Sequence, residues 1–276
     1  MLFLSCHVPL LLMTSIGRAE TLLISLTAGF IIMLLEAIAW RGQDNLIIPV
    51  GMYFLLTVFS PLTTSELLVR FLVILGFVIF VVLWRKRTTL SDSAVLLCAL
   101  AGYAVWGFWG WFWLMPLALC FLIYIALPKL VTRTGQRPMQ NYHAVLRVVT
   151  GAFFWLLLPD FIPSMSNSYT PFFLCIAAHA ANIISARLRG VRSGWTLPHV
   201  GAVSWGITCI LFGVLGVVGV ILGYLTPMLC WQLPLAVAIS LCLFIPAWPI
   251  ESTDKTFARL WISETWIAVV ASCVGL

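Results

Sequence analysis

Charge is scarce in this sequence: 9% of its 276 residues are Asp, Glu, Lys or Arg and 62% are hydrophobic, whereas soluble globular domains carry about 25% charged residues. A water-soluble fold cannot hide that much apolar surface. Alternating apolar and polar residues are also missing, which excludes a transmembrane barrel and leaves helices as the spanning elements. No Gly-Lys-Ser/Thr phosphate loop occurs anywhere. The eight cysteines are dispersed, nearly all inside apolar runs, and form no C-x-x-C pair; they are expected to be small apolar fillers. The first sixteen residues lack a basic leader and are not followed by an A-x-A site, so a membrane helix is expected there rather than a cleaved signal peptide. The net charge of +6 sits in short loops beside apolar runs, which points to membrane topology and excludes nucleic acid as a partner.

What is present is a succession of apolar runs. At about 20 residues per span, the sequence predicts an all-α, polytopic transmembrane helical bundle of about ten or eleven spans, with helices near 3–16, 21–40, 46–60, 67–84, 94–109, 111–127, 144–162, 171–186, 202–224, 227–247 and 260–276. Gly17-Arg18-Ala19-Glu20, the surroundings of Gly110, and Thr226-Pro227 are predicted to be tight helical hairpins. Most of the 15 Lys and Arg fall on alternate loops: Arg41; Arg85, Lys86 and Arg87; Lys129, Arg133 and Arg137; Arg187, Arg189 and Arg192; Lys255 and Arg259. Cytoplasmic loops collect such residues, so the N-terminus is expected in the cytoplasm and the C-terminus outside, in a bacterial inner membrane. Trp40, Trp84, Trp195, Trp248 and Trp261 fall at the predicted water boundaries. Trp106, Trp109, Trp111 and Trp113 crowd one hairpin and are expected to form an interfacial belt.

Ionisable groups at membrane depth are costly and therefore candidates for function. The densest polar cluster runs from Glu36 through Trp40, Arg41, Gly42, Gln43, Asp44 and Asn45 to Pro49, closing one helix and opening the next. Glu36 stands eight residues before Asp44, so a turn at Gly42 can bring two carboxylates and a carboxamide together. Hard oxygen ligands of this kind suit Mg²⁺ carrying a nucleotide's phosphates, and a carboxylate beside a lipid hydroxyl can act as general base. The plainer alternative is that Asp44 or Asn45 caps a helix, Gly42 makes the turn and Glu36 reaches to the interface.

The run Glu36 to Pro49, with its Gly-x-Asp-Asn-x-x-x-Pro spacing and the two apolar helices leading into it, resembles the C-terminal portion of the CTP-dependent polyprenol kinases, the dolichol and phytol kinase family. The resemblance covers roughly residues 1–60 and defines a first module, 1–84, ahead of a second transmembrane module, 85–276. It implies transfer of the γ-phosphoryl group of CTP, with Mg²⁺, onto the hydroxyl of an isoprenoid alcohol. Carried over by position, Glu36 and Asp44 would be catalytic and metal-binding, Arg41, Gly42 and Asn45 would belong to the nucleotide site, and Pro49 would start the second helix. The Gly-Asp-Ala and Lys-bearing Gly-rich segments that precede this motif in the family are absent from the residues before Glu36, which implies a truncated or inactive member. A non-catalytic carrier or binder of isoprenoid or lipid phosphates is the alternative.

The segment Thr88 to Ala94, the Gly- and Trp-rich hairpin after it, and Arg137 to Val145 are similar, more weakly, to the membrane family containing plant phytyl-phosphate kinase; the stretch from Ala178 to Gly190, where that family is acidic, holds no carboxylate here. Asp92 with Arg85, Lys86 and Arg87, and Lys129, Arg133 and Arg137 with His143, are expected to anchor on anionic headgroups or to grip a phosphate. His179 and Asn182 can line a polar cavity or make an interhelical hydrogen bond. Asp160 is expected to cap an outer turn, and Glu264 to pair with Arg259 or Lys255. Gly206, Gly213, Gly216, Gly219 and Gly223 predict a small-residue face for close helix packing.

The orientation is directly testable. Alkaline phosphatase fused after Arg41 or Arg87 should be inactive, and fused after Ser65 it should be active; the opposite pattern overturns the assignment.

Overall fold

The computed structural model describes residues 2–38, 44–84, 91–131, 143–162, 168–191, 195–247 and 254–276. Among them lie eleven α-helices: α1 (Leu2–Met13), α2 (Arg18–Ile38), α3 (Asp44–Phe59), α4 (Thr64–Trp84), α5 (Asp92–Trp109), α6 (Trp111–Val131), α7 (His143–Phe161), α8 (Tyr169–Val191), α9 (Leu197–Ile221), α10 (Leu229–Ala247) and α11 (Asp254–Ser272). No strand occurs among the described residues. Each helix coincides with a predicted span. Five of them, α2, α4, α5, α8 and α9, are long and apolar enough to cross a membrane over their described residues, and the other six contribute apolar stretches of 10–17 residues. The chain is a polytopic helical membrane protein.

Several helix starts lie earlier than the apolar runs, because polar residues build the first turns. Arg18, Ala19 and Glu20, predicted to form a hairpin, are the first turn of α2, with Glu20 near the positive end of the helix dipole. Thr63 and Glu66 cap α4 reciprocally: Thr63 N–H donates to Glu66 Oε2 at 2.8 Å, and Glu66 N–H points to Thr63 Oγ1 at 3.5 Å. Pro198 lies at the start of α9, where a missing N–H costs nothing. At the far end of α8, Arg187 and Arg189 extend the helix past the predicted boundary at 186. Both reach back into neighbouring helices: Arg187 donates to Tyr124 Oη at 3.2 Å and Arg189 to the Ile245 carbonyl at 3.0 Å.

The chain divides into two compact units, Met1–Gly110 and, after it, Trp111–Met139 with His143–Leu276. The resemblance-based modules part at 84/85, whereas packing groups α5 with the first unit, against α2 and α4. In that unit α2 touches all four other helices. In the second unit α8 touches all five others, α6, α7, α9, α10 and α11.

Contacts within each unit fix the helix directions. In the first, Glu20 and Thr64, at the starts of α2 and α4, are hydrogen-bonded, and the Phe30 and Phe71 rings farther along lie 6.1 Å apart, so α2 and α4 run parallel. Arg70 and Phe77 of α4 meet Gly107 and Tyr103 of α5 in reverse order, so these two are antiparallel. In the second unit, Arg147 pairs with Glu264 and Trp155 with Ser272, both 117 residues apart, so α7 and α11 are parallel and in register. Tyr169 and Arg187 of α8 bond Phe112 and Tyr124 of α6 in the same order, and Asn182 and Arg189 meet Ser240 and Ile245 of α10. Alternating direction is what a chain crossing a bilayer at each helix must show.

Polarity runs opposite to that of a soluble protein. On α9, Ile210, Val214, Val217 and Ile221 form an outward stripe, each 60% or more exposed, while the inward stripe is Val200, Ser204, Thr208, Phe212, Gly216 and Gly219. The predicted glycine face is thus realised at Gly216 and Gly219, which lie beneath Leu229 and Leu225; Gly206 and Gly213 face open space, and Gly223 instead makes a turn at φ +77°. The expected tryptophan belt also splits. Trp111 is exposed, but Trp106 is buried and Trp113 packs edge-on against Tyr169 at 4.7 Å.

Two glycine substitutions should separate these environments in a thermal melt of the detergent-purified protein. Gly151→Leu drives a side chain into His179 and Cys175, atoms that a bare Cβ would already meet at 2.9 and 3.0 Å, and should destabilise by about 1–3 kcal/mol. Gly206→Ala, with nothing within 4 Å, should be neutral or gain up to about 1 kcal/mol of helix propensity.

Candidate functional site

The motif from Glu36 to Pro49 sits on the α2–α3 hairpin of the first unit. The two helices pack together close to their connection: a Cβ on Gly51 would lie 3.1 Å from Leu35 Cδ1. Glu36 is in the last turn of α2 and is exposed; Asn45 is the second residue of α3 and is also exposed. Asp44 is the first residue of α3, at the end of the helix where free backbone N–H groups favour an anion. Arg41, Gly42 and the Asp44 side chain lie outside the described residues. The oxygen donors of Glu36 and Asn45 match the hard-ligand preference of Mg²⁺, so the residue types present fit that ion. No group of three or more His, Cys, Asp or Glu that could hold a metal occurs among the described residues.

Pro49 does not start α3. The helix begins five residues earlier, at Asp44, and Pro49 lies inside it. Proline has no N–H, so the bond it would return to the Asn45 carbonyl is missing; that carbonyl is at an exposed position, where another donor can reach it.

Among the secondary candidates, Asp92 is exposed at the start of α5, behind Ser91, whose hydroxyl caps the helix by accepting from Ala94 N–H at 3.3 Å. Arg85, Lys86 and Arg87 lie outside the described residues, as do Arg133 and Arg137 and the side chains of Lys129, His143 and Asp160.

A second polar assembly, in the core of the second unit, was only partly foreseeable. Arg147 of α7 and Glu264 of α11 form a buried ion pair, 9% and 6% exposed as residues. The side chains of the expected partners of Glu264, Arg259 and Lys255, lie outside the described residues; the pair with Arg147 bridges two helices. Thr265 Oγ1 donates to the Arg147 carbonyl at 3.2 Å, and Trp155 Nε1 donates to Ser272 Oγ at 2.8 Å, two turns farther along both helices. Asn182 accepts from Ser240 Oγ at 3.1 Å, the interhelical bond anticipated for it. His179 is buried with Nε2 unpartnered against Gly151, and Asn182 Nδ2 is likewise unpartnered. The signal for the ion pair was available. An arginine inside an apolar run calls for a compensating group, and Glu264 is a carboxylate of the second unit that falls well inside a predicted span.

No protein-family model matches this chain, and no curated protein or solved structure matches it.

Cutting one partner of the buried pair strands the other charge. Glu264→Leu alone should cost about 3–5 kcal/mol. The double variant Arg147→Met with Glu264→Leu should recover most of that, because an apolar pair of similar volume needs no desolvation of charge. Thermal melts of the three variants and the parent protein in one detergent check this; a double variant no better than Glu264→Leu would exclude a coupled pair.

Proposed function

We propose that this chain is a membrane protein of the CTP-dependent isoprenoid-alcohol kinase class, and that Glu36, Arg41, Gly42, Asp44 and Asn45 form its part of the nucleotide and metal site. The observation that carries this reading is the hairpin itself: Glu36 closes α2, Asn45 opens α3, both are exposed, and Asp44 is the first residue of the second helix. The cluster thus lies at the end of a membrane helix pair, where a water-borne nucleotide and a lipid hydroxyl can meet.

In the reaction, the oxygen of the alcohol forms a bond to the γ-phosphorus of CTP, the bond to the β-phosphate oxygen breaks, and CDP leaves; the alcohol's proton passes to a carboxylate. Mg²⁺ would offset the charge on the phosphates. Glu36 and Asp44 supply the carboxylates and Asn45 a neutral oxygen ligand or amide donor. The exposed start of α3 favours phosphate through its free N–H groups. The proposed location is a bacterial inner membrane with this corner on the cytoplasmic side, where CTP is found, in agreement with the basic loops.

Membranes bearing the protein, incubated with γ-labelled CTP, Mg²⁺ and phytol, farnesol or undecaprenol, should yield labelled lipid phosphate. Asp44→Asn should lower that yield by about 100-fold or more at unchanged expression and melting temperature. Lipid-phosphate binding that persists in Asp44→Asn, with no transfer by the parent protein, would favour a carrier instead.

A further inference from the structure

At the opposite end of the first unit from the Glu36 corner, a cleft of about 440 Å³ lies beside α4 and α5. Sixteen residues of α2 separate Glu20, at this end, from Glu36, about 24 Å at 1.5 Å per residue. Leu62, Ser65, Glu66, Arg70, Trp106 and Gly107 line the cleft. It is an open cleft rather than an enclosed cavity.

Arg70 dominates its chemistry. The residue lies six positions into α4, about 9 Å along the helix, and its guanidinium is held rather than left to wander. Nη1 donates to the Gly107 carbonyl at 2.9 Å, and Cζ lies 5.2 Å from the Phe59 ring centre and 5.9 Å from that of Trp106. Gly107 makes this approach possible, since a Cβ there would stand 3.2 Å from Nη1. A carbonyl and two aromatic faces fix the cation without neutralising it.

The nearest acid is committed elsewhere. Glu66, one turn before Arg70, accepts at Oε2 from both the N–H and the hydroxyl of Thr63, each at 2.8 Å, as the cap of α4. Among the described residues no carboxylate lies within ion-pair distance of Arg70. An arginine inside a membrane helix, fixed in place, facing a cleft, and near enough to Glu66 to feel its charge but not salt-bridged to it, can take an anion. Its planar fork fits a phosphate in a two-pronged grip. The walls beside it, Leu62 and Trp106, are apolar and suit the glycerol and upper chain region of a lipid.

We propose that this cleft binds a phosphate group, carried in the first instance by a lipid headgroup, with Arg70 as the phosphate ligand and Trp106 as the apolar wall. The proposal does not rest on the kinase reading: the site, the residues and the readout are all different.

The test is native mass spectrometry of the full-length purified protein titrated with dioleoyl phosphatidic acid, dioleoylglycerol or inorganic phosphate. The parent protein should retain phosphatidic acid in preference to dioleoylglycerol, which has the same chains and no phosphate. Arg70→Gln should weaken phosphatidic acid binding by about tenfold or more, and Arg70→Lys, which keeps charge but not the fork, by less. Displacement of phosphatidic acid by millimolar inorganic phosphate, lost in Arg70→Gln, would assign the same site to free phosphate. Equal retention of both lipids by the parent protein overturns the proposal without any variant having to fold, and so does wild-type affinity for phosphatidic acid in Arg70→Gln.

Discussion

A helix that gives up all contact with lipid must be held by something other than the hydrophobic effect, because its neighbours are as oily as the bilayer it left. The second unit is organised around that constraint. Over its described span α8 is 83% buried, with a mean hydropathy of 1.4; α4, in the first unit, is 17% buried with a mean hydropathy of 2.7. The central helix is thus the less apolar of the two. Ala177, Ala178, Ala180 and Ala181 let neighbouring backbones approach, Asn182 accepts a hydrogen bond from Ser240 of α10, and Arg187 and Arg189 donate to α6 and α10. Close contact and polar links between helices replace the expulsion of water. Around this core, α7 and α11 are fastened at two heights, by Arg147 with Glu264 and by Trp155 with Ser272.

The spans were legible because their signal is local and redundant: twenty apolar residues say the same thing many times over. Helix ends were not, because polar residues that cap or extend a helix look in the sequence like the loop they adjoin. Thr63 with Glu66, Arg18 with Glu20, and Arg187 with Arg189 all illustrate this. The link from Glu264 to Arg147 was not legible, for a different reason: burial between helices rewards a partner across the interface, at any distance along the chain. The Glu36 to Asn45 corner was visible as a polar cluster between apolar runs, and its hairpin geometry follows from two spans joined by a short turn. Pro49 was placed at a helix start only by the resemblance carried over by position, whereas the apolar run from residue 46 already put it inside a span. Here α3 has already begun by the time Pro49 is reached.

Charge among the described residues falls into several kinds. One, such as Glu66 at the start of α4, is exposed and caps a helix. A second kind, Arg147 with Glu264, is withdrawn from water and compensated. Arg70 belongs to a third, withdrawn in part and held by a carbonyl and two rings while the nearest acid caps a helix. The exposed Glu36 and Asn45 are different again, since nothing in their burial demands a carboxylate or a carboxamide at those positions.

The register that makes α7 and α11 parallel also sets an order of events during synthesis. Arg147 leaves the ribosome 117 residues ahead of Glu264, a wait of roughly 6–23 s at ~5–20 residues per second. Throughout that interval α7 must be accepted by the membrane with its cation still lacking the carboxylate. A nascent chain stalled before α11 would present the same uncompensated arginine, a natural mark by which quality control can tell an unfinished copy from a finished one.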